Sequence, residues 1–130
     1  MISDLETSLD EARTFLDKKI PFMPKVGIIL GTGLSSLVEK IFIKVNIPYR
    51  EIPHFPISTV ETHPGNLIFG TWRDHEVVVL QGRVHYYEGY SLQEITFPVR
   101  LMKKIGLSIL IITNASGGLD PDFSPGEIMG

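Results

Sequence analysis

Two apolar runs that each empty into a glycine-rich turn constrain this chain more than any other feature. Lys25-Val26-Gly27-Ile28-Ile29-Leu30 leads into Gly31-Thr32-Gly33, and Leu107-Ser108-Ile109-Leu110-Ile111-Ile112-Thr113 leads into Asn114-Ala115-Ser116-Gly117-Gly118. Short runs without polar alternation read as strands covered on both faces, the kind found in parallel sheets under helices. After the first turn, Leu34, Leu37, Val38 and Ile41 recur at helical intervals, so strand, turn and helix follow in the order of an α/β unit. The second run is the strongest candidate for a buried strand. The expected fold class is α/β, a mixed twisted central sheet flanked by helices.

The rest of the chain fills in that frame. Ser3-Asp4-Leu5-Glu6 has the spacing of a capping box, and Ile2, Leu5, Leu9, Ala12 and Leu16 recur at helical intervals, predicting a first amphipathic helix that ends near Lys19. Phe42 to Pro56 is strand-like but broken by Pro48, Pro53 and Pro56, which suits an edge strand and loop. The segments 66–70 and 76–81 flank Trp72-Arg73-Asp74-His75 and predict a hairpin, bringing antiparallel pairing into the sheet. Ser91-Leu92-Gln93-Glu94 is a second capping box, yet Pro98 falls where the helix interior would lie. The expectation is a kink or restart near Thr96 and an end at Gly106.

Composition narrows the function. With 130 residues, 43% of them hydrophobic and 21% charged, the chain reads as one soluble globular domain. A net charge of −3 lacks the basic stripe that nucleic acid or anionic lipid requires, so a small-molecule partner is expected, with no nucleic acid and no membrane. The absence of cysteine removes disulfides, cysteine zinc sites and thiolate nucleophiles. Asp4, Glu6, Asp10 and Glu11 stand where a signal peptide would be basic and then apolar, and no run approaches the roughly 18 apolar residues of a membrane helix. The expected location is the cytoplasm.

Glycine turns at the ends of buried strands let backbone amides converge on an anion, because no Cβ blocks the approach and a helix N-terminus adds a favourable dipole. Either turn taken alone serves equally well as a tight turn with no ligand. Gln81-Gly82-Arg83-Val84-His85-Tyr86-Tyr87-Glu88-Gly89 carries more information. Arg83 offers a planar donor fork suited to phosphate, and in an extended segment Arg83, His85 and Tyr87 project from one face. Glu88 reaches His85 if the segment turns. The same residues also fit a solvated edge strand whose aromatics cover the sheet. His63 lies on a proline-glycine loop, and His54 and His75 read as surface histidines. No histidine spacing suits a metal, so no metal and no cofactor are implied.

Taken in order, these residues resemble the trimeric class of purine nucleoside phosphorylases. That family's N-terminal half carries G-[ST]-G-L, I-P-x-F-P-x-S-T-V followed by H-x-G, Q-G-R-x-H-x-Y-E-G-Y, T-F-P-V-R and T-N-A-[AS]-G-G. The matches here are residues 31–34, 52–60, 63–65, 81–90, 96–100 and 113–118. The resemblance implies phosphorolysis of purine nucleosides to a free base and ribose 1-phosphate, with inorganic phosphate as co-substrate. It implies phosphate contacts from Thr32, His63, Arg83, His85 and the backbone amide of Ala115, and a ribose contact from Tyr87. His85, with Glu88 placed to orient it, is the expected catalytic pair. It also implies a homotrimer for the full-length enzyme.

Residues 1–130 are expected to be the N-terminal part of a single phosphorylase domain whose purine-binding half is absent, leaving a chain inactive by itself. A 5′-methylthioadenosine phosphorylase and a non-catalytic phosphate-binding fragment are the nearest alternatives. A dinucleotide-binding oxidoreductase is a further one, since Gly31-x-Gly33 follows a strand and Glu51 lies at a suitable distance. Ser36 replaces the third glycine of that fingerprint.

Overall fold

A computed structural model of the chain describes residues 2–31, 33–57 and 65–130, with side chains from residue 4 onward. Helix α1 runs over Ile2–Asp17, so it already contains Ser3, and the capping-box position expected for that serine is not at the helix end. Strand β1 is Val26–Leu30, β2 is Phe42–Pro48, β3 is Asn66–Trp72, β4 is His75–Gln81 and β5 is Ile109–Ile112; helix α2 is Leu92–Lys104. The strands form one mixed sheet in the order β2-β3-β4-β1-β5. β2, β3 and β4 pair antiparallel, whereas β1 lies parallel to both β4 and β5.

Side chains alternate across this sheet with the two-residue period of a strand. Ile29, Leu67, Phe69, Val78 and Leu80 face α1 and α2, which supply Leu9, Leu16, Phe97, Leu101 and Met102 to the same core. Ile28, Leu30, Ile68, Val77 and Val79 face the other side, where Leu34, Leu37 and Val38 cover them. The expected helix over those last residues is a 3-10 helix, Ser35–Lys40. Two α-helices therefore cover one face and a short 3-10 helix the other.

The hairpin forms as expected. β3 and β4 pair from Asn66↔Gln81 to Trp72↔His75, and Arg73 and Asp74 make the two-residue turn at φ 48° and 68°. Positive φ at both central residues is the mirror-image turn that matches strand twist.

Helix α2 departs from expectation. It starts at the predicted cap, with Glu94 N–H donating to Ser91 Oγ at 3.1 Å and Ser91 N–H donating to Glu94 Oε2 at 2.7 Å. It then passes through Pro98 without interruption. Proline in a helix interior costs ~3 kcal/mol. Phe97, Leu101, Met102 and Ile105 are each no more than 4% exposed, and burying each contributes about 1.5–3 kcal/mol, which outweighs the loss. The helix is tied to α1 by Lys104, whose Nζ lies 2.8 Å from Glu6 Oε2 and 3.0 Å from Asp10 Oδ1. Hydrogen bonds to Glu6 and then Asp10 raise the Lys104 pKa, so the lysine stays charged in this exposed tie at neutral pH, and its contribution is lost as pH climbs through that raised value.

β5 is the second correction. The strand forms, but Ile109, Ile111 and Ile112 are 55%, 47% and 57% exposed. β5 is the last strand of the sheet, and among the described residues only Leu110 reaches the core from it. Beyond Thr113 the chain is exposed through to Gly130 without a further helix or strand.

Candidate functional site

The parallel strands place the candidate residues. β4, β1 and β5 run in the same direction, with Leu30 opposite Gln81 and Ile29 opposite Ile112, so their C-terminal ends lie along one edge of the sheet. Ligands of open α/β sheets bind outside that edge. From β4 emerges Gly82-Arg83, from β1 Gly31-Thr32-Gly33, and from β5 Thr113 to Gly118. The antiparallel β3 begins at the same edge, because Asn66 pairs with Gln81, and Gly65 lies just before it. Thr32 and His63 themselves lie outside the described residues.

Arg83 is half-buried and has no acidic partner among the described residues. It borders a mostly apolar cavity of about 180 Å³ together with Ile29, Leu80, Val84, Val99 and Ile112. A cation above apolar surroundings is poorly compensated by solvent, and a bound anion is attracted more strongly there than in open water. Ala115 is exposed on the loop beyond β5, with its neighbours Asn114 and Ser116 joined side chain to side chain at 2.7 Å.

The segment after Arg83 turns instead of extending. Gly82 and Gly89 take φ 111° and 100°, and Tyr86–Glu88 forms a 3-10 turn between them. Arg83, His85 and Tyr87 therefore do not line one face of a strand. The turn stacks the Tyr87 ring on His85, with centroids 4.9 Å apart and planes at 16°. It also brings Glu88 under His85, where Oε2 accepts the His85 N–H at 2.7 Å and lies 3.1 Å from Nδ1. A carboxylate on Nδ1 favours the tautomer that carries its proton there, leaving Nε2 free to accept or, when protonated, to donate. Tyr87 is 82% exposed, which leaves its outer ring face open.

One positional expectation is weakened by geometry. The helix that follows the Gly31–Gly33 turn is a six-residue 3-10 helix, so the dipole it brings to that turn is that of a short helix only. The dinucleotide reading fails, since the strand after β1 is β2, which lies at the far end of the sheet and pairs antiparallel with β3. Among the described residues no group of three or more His, Asp or Glu side chains is placed to hold a metal ion.

Sequence reasoning missed Tyr49. It follows β2 and is 5% exposed; its N–H donates to Gly65 O at 2.9 Å and its hydroxyl donates to Gly82 O at 2.6 Å. Burial holds its phenol far above the ordinary tyrosine range, so it remains a donor. The residue ties the start of β3 to the glycine before Arg83. Tyr49→Phe keeps the ring and strands the Gly82 carbonyl, and is expected to cost about 1–2 kcal/mol in urea denaturation. An unchanged midpoint would mean that the hydroxyl contributes nothing.

Residues 25–129 match the family model described as the phosphorylase superfamily. The chain belongs to the phosphorylase superfamily. Within it, the chain is 50% identical over 123 residues to purine nucleoside phosphorylase 1 of Geobacillus stearothermophilus, covering 95% of this chain and 45% of that protein. It is 48% identical over 106 residues to the Rattus norvegicus purine nucleoside phosphorylase, covering 82% and 37%. It also superposes with a TM-score of 0.81 and 43% identity on isoform 2 of the Schistosoma mansoni purine nucleoside phosphorylase, solved with cytosine and ribose 1-phosphate. That match covers 88% of this chain and 40% of the other. The chain thus spans under half the length of the superfamily relatives it matches.

Proposed function

We propose that the protein acts in the reversible phosphorolysis of purine nucleosides, giving free purine and ribose 1-phosphate, and that these residues hold the phosphate and part of the ribose. The observation that carries this reading is Arg83, half-buried and without an acidic partner among the described residues, at the strand edge where two glycine-rich turns also end. The relatives named purine nucleoside phosphorylase, among them one solved with ribose 1-phosphate, supply the substrate class.

In this reading Arg83, His85, Thr32, His63 and the Ala115 amide bind inorganic phosphate, and the exposed ring of Tyr87 lies against the ribose. Positive charge develops at the ribose carbon as the glycosidic bond weakens, and the phosphate dianion below the ring stabilises that charge and attacks it, as a carboxylate or water does in glycoside hydrolysis. The residues work by positioning and by preorganised charge. Glu88 orients His85 toward the phosphate. The 130 residues are the N-terminal part of one phosphorylase domain, with purine contacts supplied from elsewhere in that domain, and no metal or organic cofactor takes part. The assembly is a cytoplasmic homotrimer, a point supported by resemblance alone.

The test is calorimetric titration of inorganic phosphate into the chain and into Arg83→Ala. Loss of a charge-assisted bidentate contact should weaken binding by at least about tenfold. Equal binding by both proteins would remove Arg83 from the site and the reading with it.

A further inference from the structure

Four segments reach the sheet edge, and among the described residues the Thr113 side chain joins the two glycine-rich turns. Thr113 is the first residue after β5. Its Oγ1 accepts the Gly31 N–H at 2.9 Å and donates to Ile29 O at 2.9 Å. Its own N–H also donates to Ile29 O, at 3.0 Å. One hydroxyl thus satisfies the first amide beyond β1 and a carbonyl within it. The backbones are correspondingly close, since a Cβ on Gly31 would lie 2.6 Å from Thr113 O and 2.7 Å from Asn114 Cα.

The geometry points to Thr113 as a positioning residue for anion binding. Gly31 N–H is turned inward onto the hydroxyl, so the amides that follow begin from a fixed orientation. Ala115 lies two residues beyond Thr113 on the other side of the same junction. The hydroxyl therefore sets the separation and direction of both turns without itself facing the anion. This role rests on the phosphate reading given above.

The side-chain chemistry gives a test with opposite signs for the two explanations. Thr113→Val preserves shape and removes the hydroxyl, whereas Thr113→Ser keeps the hydroxyl and removes the methyl. If the hydroxyl positions the turns, phosphate titrated calorimetrically into the 130-residue chain binds Thr113→Ser within about twofold of the unmodified protein and Thr113→Val at least about tenfold more weakly. Amide exchange at Gly31, followed by NMR, should accelerate in the valine variant and stay slow in the serine variant.

If Thr113 serves only packing, the order reverses: valine binds like threonine and serine is the weaker. That order, or equal binding by all three, overturns the role while leaving the phosphate site intact. A valine variant that does not fold, beside a serine variant that folds and binds normally, would make the hydroxyl a requirement of the fold at large and also overturn it. If the unmodified chain and Arg83→Ala bind phosphate equally or not at all, the phosphate reading itself has failed, and the role of Thr113 falls with it.

Discussion

Phe69→Ala is expected to lower the unfolding free energy by about 3–5 kcal/mol, the range for removing a fully buried aromatic ring. Phe69 is 0% exposed, pairs with Val45 on one side and Val78 on the other, and meets Phe22 edge-on at 6.0 Å. It therefore sits at the middle of the antiparallel part of the sheet, directly under α1 and α2. Domains of this size are stable by only about 5–15 kcal/mol, so one substitution here removes a large share of the total. Phe42 on β2, 74% exposed, provides the contrast, and its alanine variant should stay within about 0.5 kcal/mol. Urea denaturation of the two variants decides the matter. Comparable midpoints would mean that the core does not pass through β3.

The strands were legible because a strand covered on both faces is apolar along its length. Residues 66–70 and 76–81 alternate between the two faces, and the Arg73-Asp74 turn sits between them as expected. The exposure of β5 was not legible, because Leu107 to Thr113 would read the same whether the strand had neighbours on one side or two. An apolar run records a strand's suitability for burial, and its place in the sheet order decides whether burial happens. Pro98 misled for a related reason. Its local cost is real, but the decision belongs to the side chains that α2 buries, and their packing partners are far away in sequence.

The candidate residues around the site were legible one by one, since Arg83, His85, Tyr87 and Glu88 stand in a single short stretch. Their arrangement was less so. The extended reading put Arg83, His85 and Tyr87 on one face, but positive φ at Gly82 and Gly89 allows the chain to turn and stack Tyr87 on His85. What brings that stretch beside the two glycine-rich turns is the parallel order β4-β1-β5, which no local pattern encodes. Tyr49 and Thr113 were missed outright. Both act through hydrogen bonds to backbone atoms of distant segments, Gly82 in one case and Gly31 in the other, and nothing at either position in the sequence names its partner.

Gly31→Ala should be the most damaging small change at the site itself. The added methyl meets backbone on two sides, Thr113 O at 2.6 Å and Asn114 Cα at 2.7 Å, so no side-chain rotation can relieve it. Either β1 and β5 separate at their ends or the Gly31 N–H leaves Thr113 Oγ1, and overpacking of this kind costs about 1–3 kcal/mol. Gly117 is the matched control, because a Cβ there meets nothing within 4 Å and its alanine variant should unfold within about 0.5 kcal/mol of the unmodified chain. The two variants also separate stability from binding. If the junction between the turns orders the amides that receive phosphate, the Gly31 variant binds phosphate at least about tenfold more weakly even at temperatures where it is fully folded. A folded Gly31→Ala chain with undiminished phosphate affinity would show that the site tolerates movement of the β1 turn and depends on Arg83 and its own loop instead.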